Sequence, residues 1–122
     1  MDKKIILLAE DDVFVSDIYY RKLTNEGFDV KLASNGLEAI EKLKKDVPDL
    51  ILLDVMMPYM NGKEVIKELK AKDEWKNIPV IFLTNVSEKD DMEPEILEQA
   101  DKYLIKSHFT PAEVVEKIKS LL

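Results

Sequence analysis

Hydrophobic and polar residues alternate in blocks along this chain, and the blocks differ in length and spacing. Short, largely apolar runs occur at five places: Ile5–Ala9, Phe28–Leu32, Leu50–Leu53, Val80–Leu83 and Tyr103–Ile105. The longer segments between them carry apolar residues at helical spacing. A short apolar run between turn residues is typical of a strand buried on both faces, whereas helical spacing indicates an amphipathic helix. The pattern therefore predicts strands and helices in alternation.

Several of the longer segments also carry local signals for helix ends. Asn25-Glu26-Gly27 predicts the C-terminal end of the first helix. Asn35-Gly36-Leu37-Glu38 resembles a capping box at the start of the second helix. Thr110-Pro111-Ala112-Glu113 predicts the start of the last helix, with a capping threonine followed by proline at the first helical position.

Alternating strands and helices of this length predict a parallel sheet, because parallel neighbours need a crossover that is usually a helix. We predict an α/β fold, a three-layer sandwich with helices on both faces of the sheet. The acidic segment from Ser87 to Gln99 is less regular, because Pro94 breaks or kinks a continuous helix. We expect a helix there that begins late, near Pro94, or one that is distorted.

The composition fits one folded domain over residues 1–122, with 46% hydrophobic and 35% charged residues. The net charge of −7 argues against nucleic acid as a direct partner, since a phosphate backbone favours a basic face. The absence of cysteine excludes disulfides, thiolate catalysis and cysteine-based zinc sites. No apolar run approaches the roughly 20 residues that a membrane span needs, and the N-terminus lacks a signal peptide. We therefore expect no membrane partner, and these features favour the cytoplasm.

Polar side chains stand at the ends of the predicted strands, the edge at which open α/β sheets place their ligand sites. Glu10 and Asp11 follow the first run, Asp54 the third, Thr84 the fourth and Lys106 the fifth. Three neighbouring carboxylates need compensating positive charge, which Mg²⁺ and a lysine would supply. A cation, a lysine, a hydroxyl and a carboxylate nucleophile are together the parts of a phosphoryl-transfer site. Each residue alone has an ordinary structural explanation, but the combination is hard to obtain by chance.

With these residues in place, the chain resembles a receiver domain of the two-component response regulators over nearly its whole length. The matching motifs are Leu7-Leu8-Ala9-Glu10-Asp11-Asp12, Asp54-Val55-Met56-Met57-Pro58 with Asn61-Gly62, Val80-Ile81-Phe82-Leu83-Thr84, and Tyr103-Leu104-Ile105-Lys106. The resemblance implies a doubly wound, flavodoxin-like (βα)₅ fold with strand order 2-1-3-4-5. It also implies that a histidine kinase or a histidine phosphotransfer protein donates a phosphoryl group to an aspartate in the presence of Mg²⁺.

The resemblance further assigns the chemistry to particular residues. Asp54 matches the phosphoacceptor, and Lys106 matches the lysine that pairs with the phosphoryl group. The metal would be held by Asp11 directly, by Glu10 largely through water, by Asp54 and by the backbone carbonyl of Met56. The domain would phosphorylate and dephosphorylate itself without acting as an enzyme on other substrates.

The resemblance also implies a switch. Thr84 matches the hydroxyl that is drawn to the phosphoryl oxygens, and Tyr103 matches the aromatic residue that packs inward when Thr84 moves. The surface of helix 4, strand 5 and helix 5 would then change and contact an unknown downstream protein, in a monomer or a weak phosphorylation-dependent dimer. Since nothing follows Leu122, we expect a stand-alone receiver without an output domain, unless the chain was cut from a longer protein.

One departure from the family pattern concerns the residue after Lys106, which is usually a proline that follows a cis bond. Here it is Ser107, and a cis bond before a non-proline residue costs about 3 kcal/mol. We therefore expect a trans bond, which puts the placement of Lys106 in question.

Three other functions fit parts of the pattern. A phosphatase of the haloacid dehalogenase type also uses a strand-end aspartate, Mg²⁺ and a lysine, but its second aspartate would stand where this chain has Met56. A flavodoxin-like cofactor binder would need a phosphate-binding loop in place of Glu10-Asp11-Asp12, whose charges repel phosphate. A receiver that signals without phosphorylation is disfavoured by the complete set of site residues.

Overall fold

The computed structural model describes residues 3–85 and 94–122, in which strands and helices alternate as predicted. The elements are β1 (Ile5–Ala9), α1 (Val13–Asn25), β2 (Asp29–Ala33), α2 (Gly36–Lys45), β3 (Leu50–Leu53), α3 (Gly62–Ala71), β4 (Val80–Thr84), α4 (Pro94–Gln99), β5 (Lys102–Ile105), a 3₁₀ turn (Lys106–His108) and α5 (Pro111–Leu121).

The five strands form one parallel sheet in the order β2-β1-β3-β4-β5. This confirms the doubly wound, flavodoxin-like topology. The strand order reverses between β1 and β3, and a crevice opens at such a point beyond the carboxyl ends of the strands. The first and third strands therefore end on either side of the place where this fold holds its ligands.

Helices cover both faces of the sheet, which confirms the three-layer sandwich. Alternate residues of β1 point to opposite faces, so that Leu7 packs on the side of α2, α3 and α4 while Ile6 and Leu8 pack on the side of α1 and α5. All four residues of β3 are buried, as a central strand with two covered faces requires. The site described below is thus attached to the buried centre of the sheet.

The predicted boundaries of three strands were wrong by one residue, and one of the three is β4, which includes Thr84. β2 begins at Asp29 rather than Phe28, because the Phe28 N–H donates to the Leu23 carbonyl at 3.1 Å and closes the end of α1. It extends to Ala33, which pairs with Ala9. β5 begins one residue earlier than predicted, at Lys102. The starts of β2 and β5 depend on contacts with other elements, which the local sequence does not show.

The predicted helix ends are largely confirmed. The first helix ends at Asn25, and both halves of the capping box of Thr110 and Glu113 are present. At α2, Asn35 accepts a hydrogen bond from the Glu38 N–H, but the Glu38 carboxylate bonds to Ser34 instead of completing a capping box.

The irregular acidic segment is described in part. α4 begins at Pro94, as expected for a helix that starts late. The residues from Ser87 to Glu93 lie outside the described part of the chain. Among the described residues, no helix is long and apolar enough to cross a bilayer.

Candidate functional site

The backbone of the sheet fixes two of the predicted carboxylates beyond the ends of β1 and β3. The Asp54 N–H donates to the Ala9 carbonyl at 3.0 Å, and the Glu10 N–H donates to the Ala33 carbonyl at 3.0 Å. Both hydrogen bonds extend the backbone hydrogen-bonding pattern between neighbouring strands by one residue. Glu10 and Asp54 are almost fully enclosed, with exposed fractions of 4% and 5%. Such burial requires a compensating positive charge.

Lys106 supplies this charge from the end of β5. Its Nζ lies 2.7 Å from Glu10 Oε1 and 3.4 Å from Asp54 Oδ2. Burial by itself would lower the pKa of Lys106, but the hydrogen bond to Glu10 and the charges of Asp54 and Glu10 outweigh it, and the pKa is raised. The lysine therefore stays protonated and bridges the carboxylates of the first and third strand ends.

Asp11 completes a three-carboxylate cluster with these two residues. One oxygen from each of Glu10, Asp11 and Asp54 lies within 4.8 Å of the others. Asp11 itself is exposed. Partial burial of its carboxyl group and the neighbouring Glu10 raise the pKa of Asp11. An all-oxygen, strongly anionic donor set of this kind fits Mg²⁺.

Asp12 takes a different role from the two acids before it. Its carboxylate accepts hydrogen bonds from the Phe14 and Val15 N–H groups and caps α1. Its own N–H donates to Glu10 Oε2 at 3.1 Å, which helps to fix the Glu10 side chain. Of the three consecutive acids, the first two thus belong to the cluster and the third begins the helix.

The loop between β3 and α3 carries Met56, whose backbone carbonyl is the remaining expected metal ligand. The Met56 side chain is exposed. The loop is closed at its base by a hydrogen bond of 2.8 Å from the Gly62 N–H to the Val55 carbonyl. Tyr59 has a φ of 67°, an uncommon conformation for a residue other than glycine. The loop is therefore tight, and the identity of Met56 as a ligand stays a prediction.

The two predicted switch residues lie on neighbouring strands. Thr84 is fully buried at the end of β4, and its hydroxyl has no hydrogen-bond partner among the described residues. Tyr103 is partly buried, and its ring centroid lies 5.9 Å from that of Phe82. The two side chains are thus enclosed in the fold, and their roles as a switch stay predictions.

The bond between Lys106 and Ser107 is trans, since the described residues contain no cis peptide. Ser107 lies in the 3₁₀ turn that begins at Lys106. The turn still lets Lys106 reach two carboxylates. Replacement of the usual proline therefore does not displace the lysine from the site.

Comparison with known proteins gives the family. The response regulator receiver domain family matches residues 6–119. The chain belongs to this family. It is therefore a response regulator receiver domain, a phosphorylation-dependent signalling module.

Among curated proteins, this receiver domain is 40% identical to the transcriptional regulatory protein CpxR homolog of Haemophilus influenzae, over 96% of the chain and 49% of that protein. It is 37% identical to the alkaline phosphatase synthesis transcriptional regulatory protein PhoP of Bacillus subtilis, over 100% of the chain and 49% of that protein. The chain thus spans about half the length of the curated relatives it matches.

Solved structures of receivers share the fold over nearly the whole chain. The response regulator TrrA of Thermotoga maritima, in complex with Mg²⁺ and BeF, has a TM-score of 0.85 at 34% identity and covers 98% of this chain and 99% of its own. The receiver domain of sensor histidine kinase PA1611 of Pseudomonas aeruginosa, with a magnesium ion in its active site cleft, has a TM-score of 0.87 at 26% identity and covers 98% of each chain.

Sequence reasoning missed one contact near the site. The start of α2 touches the loop between β3 and α3, through Gly36 and Met60. The residues around Gly36 gave only the signal of a helix start.

Proposed function

We propose that Asp54 accepts a phosphoryl group from the phosphohistidine of a histidine kinase or a histidine phosphotransfer protein. Glu10, Asp11, Asp54 and the Met56 carbonyl would hold Mg²⁺. The observation that carries this proposal is the contact of Lys106 with both Glu10 and Asp54 inside a three-carboxylate cluster. Structural ion pairs are seldom built from three acids and one lysine, because the excess negative charge is costly.

The transfer step needs an oxygen nucleophile and fixed positive charge. One Asp54 carboxylate oxygen attacks phosphorus, a P–O bond forms, the P–N bond of the phosphohistidine breaks, and its electron pair returns to the imidazole nitrogen. Lys106 is close enough to Asp54 to stabilise charge on the oxygens of the incoming group. When bound, Mg²⁺ would neutralise further charge on the carboxylates and the phosphoryl oxygens.

The resulting acyl phosphate on Asp54 would then act on the two predicted switch residues, Thr84 and Tyr103. A phosphoryl group adds a charge of about −1.5 to −2 and strong acceptor oxygens. The Thr84 hydroxyl has no hydrogen-bond partner among the described residues and can donate to such an acceptor. Movement of Thr84 would allow Tyr103 to follow, and the surface of α4, β5 and α5 would change its contacts with a downstream protein.

The same proposal covers the setting in which the module works. We place it in the cytoplasm, as a monomer or a weak phosphorylation-dependent dimer that modifies only itself. The two curated relatives described above are named transcriptional regulatory proteins. This acidic chain would contact proteins rather than DNA, so any regulation of transcription would depend on a partner or a further domain.

The test is the intact mass of the protein after incubation with Mg²⁺ and acetyl phosphate. We expect the parent to gain one phosphoryl group, and we expect no gain after chelation of Mg²⁺ or in Asp54→Asn. An adduct on the Asp54→Asn variant would place the acceptor elsewhere. An unmodified parent that nevertheless binds Mg²⁺ would indicate a receiver that signals without phosphorylation, and turnover of a generic phosphate ester would indicate a phosphatase.

A further inference from the structure

The first residue of α2 lies directly against the loop that leads from β3 to α3. The Gly36 N–H donates to the Met60 carbonyl at 2.9 Å. A Cβ built on Gly36 would overlap the Met60 carbonyl oxygen and would lie 2.6 Å from the Met60 Cβ. Most of what it would meet is backbone, which cannot turn away as a flexible side chain can. Only glycine therefore fits at this contact without moving the loop.

The loop that Gly36 touches is the one that begins at the proposed phosphoacceptor. Asp54, which precedes the loop, is hydrogen-bonded to β1 through its N–H. Gly62, which follows the loop, donates its N–H to the carbonyl of Val55 at the start of the loop. Between these two ends, the Met60 N–H donates to the Pro58 carbonyl at 2.7 Å. Gly36 supplies a hydrogen bond to the loop from a different helix. Displacement at Met60 would thus be transmitted along a short, tightly bonded segment to Met56.

We propose that Gly36 is a positioning residue for the metal site. By its hydrogen bond and its lack of a side chain it keeps the loop from Val55 to Asn61 close to α2, and this sets how well the Met56 carbonyl can serve as a metal ligand. The proposal rests on the proposed function only for the assignment of the metal ligands. The affinity for Mg²⁺ therefore depends on a residue whose hydrogen bond goes to Met60, which is not one of the four proposed ligands.

The coupling must act in both directions, because linkage between two equilibria is reciprocal. If contact between Gly36 and the loop strengthens Mg²⁺ binding, then bound Mg²⁺ stabilises that contact. The hydrogen bond from Gly36 to Met60 should consequently open less often when Mg²⁺ is present. This gives a measurement on the unmodified protein as well as on variants.

The first experiment compares the Mg²⁺ affinity of the parent, Gly36→Ala and Gly27→Ala by calorimetric titration. Gly27 has a φ of 96° and no heavy atom within 4 Å of a built Cβ, so alanine there strains the backbone far from the site. We expect Gly36→Ala to weaken Mg²⁺ binding by about tenfold, as loss of outer-shell support typically does. Gly27→Ala should bind Mg²⁺ like the parent.

Phosphorylation by acetyl phosphate over a range of Mg²⁺ concentrations distinguishes a positioning role of Gly36 from general damage to the fold. In Gly36→Ala the half-saturating Mg²⁺ concentration should rise, while the extent of modification at saturating Mg²⁺ should approach that of the parent. Equal Mg²⁺ affinity in Gly36→Ala and the parent would overturn the inference. Equal weakening in Gly27→Ala would also overturn it, because the effect would then follow general stability.

The second experiment uses amide hydrogen exchange of the parent and stays informative if Gly36→Ala does not fold. We expect Mg²⁺ to slow exchange of the Gly36 amide more than that of the Phe28 amide, which donates to Leu23 at the opposite end of the sheet. No slowing at Gly36 in the presence of bound Mg²⁺ would overturn the inference. A protein that binds Mg²⁺ but takes no phosphoryl group would refute only the proposed function.

Discussion

At the scale of single residues, Thr84 shows how the site is prepared for a ligand. Its hydroxyl is enclosed at the end of β4 and has no hydrogen-bond partner among the described residues. A buried hydroxyl without a partner costs roughly 1–3 kcal/mol. The unmodified protein thus carries a small penalty that an acceptor oxygen at the site would remove.

This penalty predicts that Thr84→Val has opposite effects on the stability of the unmodified protein and on the stabilisation that a ligand provides. Valine has nearly the same shape and no hydroxyl, so the variant should raise the free energy of unfolding of the unmodified protein by about 1 kcal/mol. It should also reduce the stabilisation gained from Mg²⁺ and beryllofluoride, a mimic of the phosphoryl group. Urea unfolding with and without these additions measures both effects.

Thr84→Ser serves as the matched control, because it keeps the hydroxyl and loses only a methyl group. It should retain most of the stabilisation by beryllofluoride. A Thr84→Val variant that is less stable than the parent in the absence of ligand would show that the hydroxyl is bonded in solution.

At the scale of elements, the capping box at the start of α5 depends on a charged group. The Thr110 N–H donates to Glu113 Oε1 at 2.9 Å, and the Glu113 N–H donates to Thr110 Oγ1 at 3.2 Å. The hydrogen bond from the Thr110 backbone lowers the pKa of Glu113 below its ordinary value of 4.5. The ionised carboxylate is therefore better bonded in the folded than in the unfolded chain.

This lowered pKa predicts a pH dependence of the effect of Glu113→Gln. A depressed folded pKa contributes stability above the unfolded value, and this contribution is lost as the pH falls through the folded value. The parent should exceed Glu113→Gln in free energy of unfolding at neutral pH, and the difference should shrink as the pH falls below 4.5. Urea titrations at a series of pH values measure the difference. A difference that is constant with pH would mean that the charge has no part in the cap.

The strands and helices show which features the sequence predicts and which it does not. The apolar runs identified β1, β3 and β4 because burial on both faces leaves a continuous local signal, whereas the edge strands β2 and β5 are only partly buried. The start of β2 was missed by one residue because the Phe28 N–H is used by the end of α1, a tertiary contact. The strand-end residues were found because parallel strands bring their carboxyl ends to one edge. The contact of Gly36 with Met60 was not found, since it joins the start of α2 to a loop that only the folded chain brings next to it.

At the scale of the whole molecule, an acidic chain concentrates three carboxylates at the edge of its central sheet. The net charge is −7, and among the described residues the cluster of Glu10, Asp11 and Asp54 is bridged by Lys106. One lysine leaves this cluster with an excess of negative charge when all three acids are ionised. The fold therefore carries repulsion that a bound divalent cation would relieve.

This arrangement predicts that Mg²⁺ stabilises the whole fold. A ligand that binds only the folded state at 100 times its Kd adds about 2.7 kcal/mol to the free energy of unfolding. The Tm should thus rise with Mg²⁺ concentration and return to its starting value after chelation. Asp11→Asn should abolish most of this rise. Asp17→Asn, which removes an exposed charge paired with Arg21 outside the cluster, should keep it. An equal loss in both variants would mean that Mg²⁺ acts by screening the net charge rather than by binding at the strand ends.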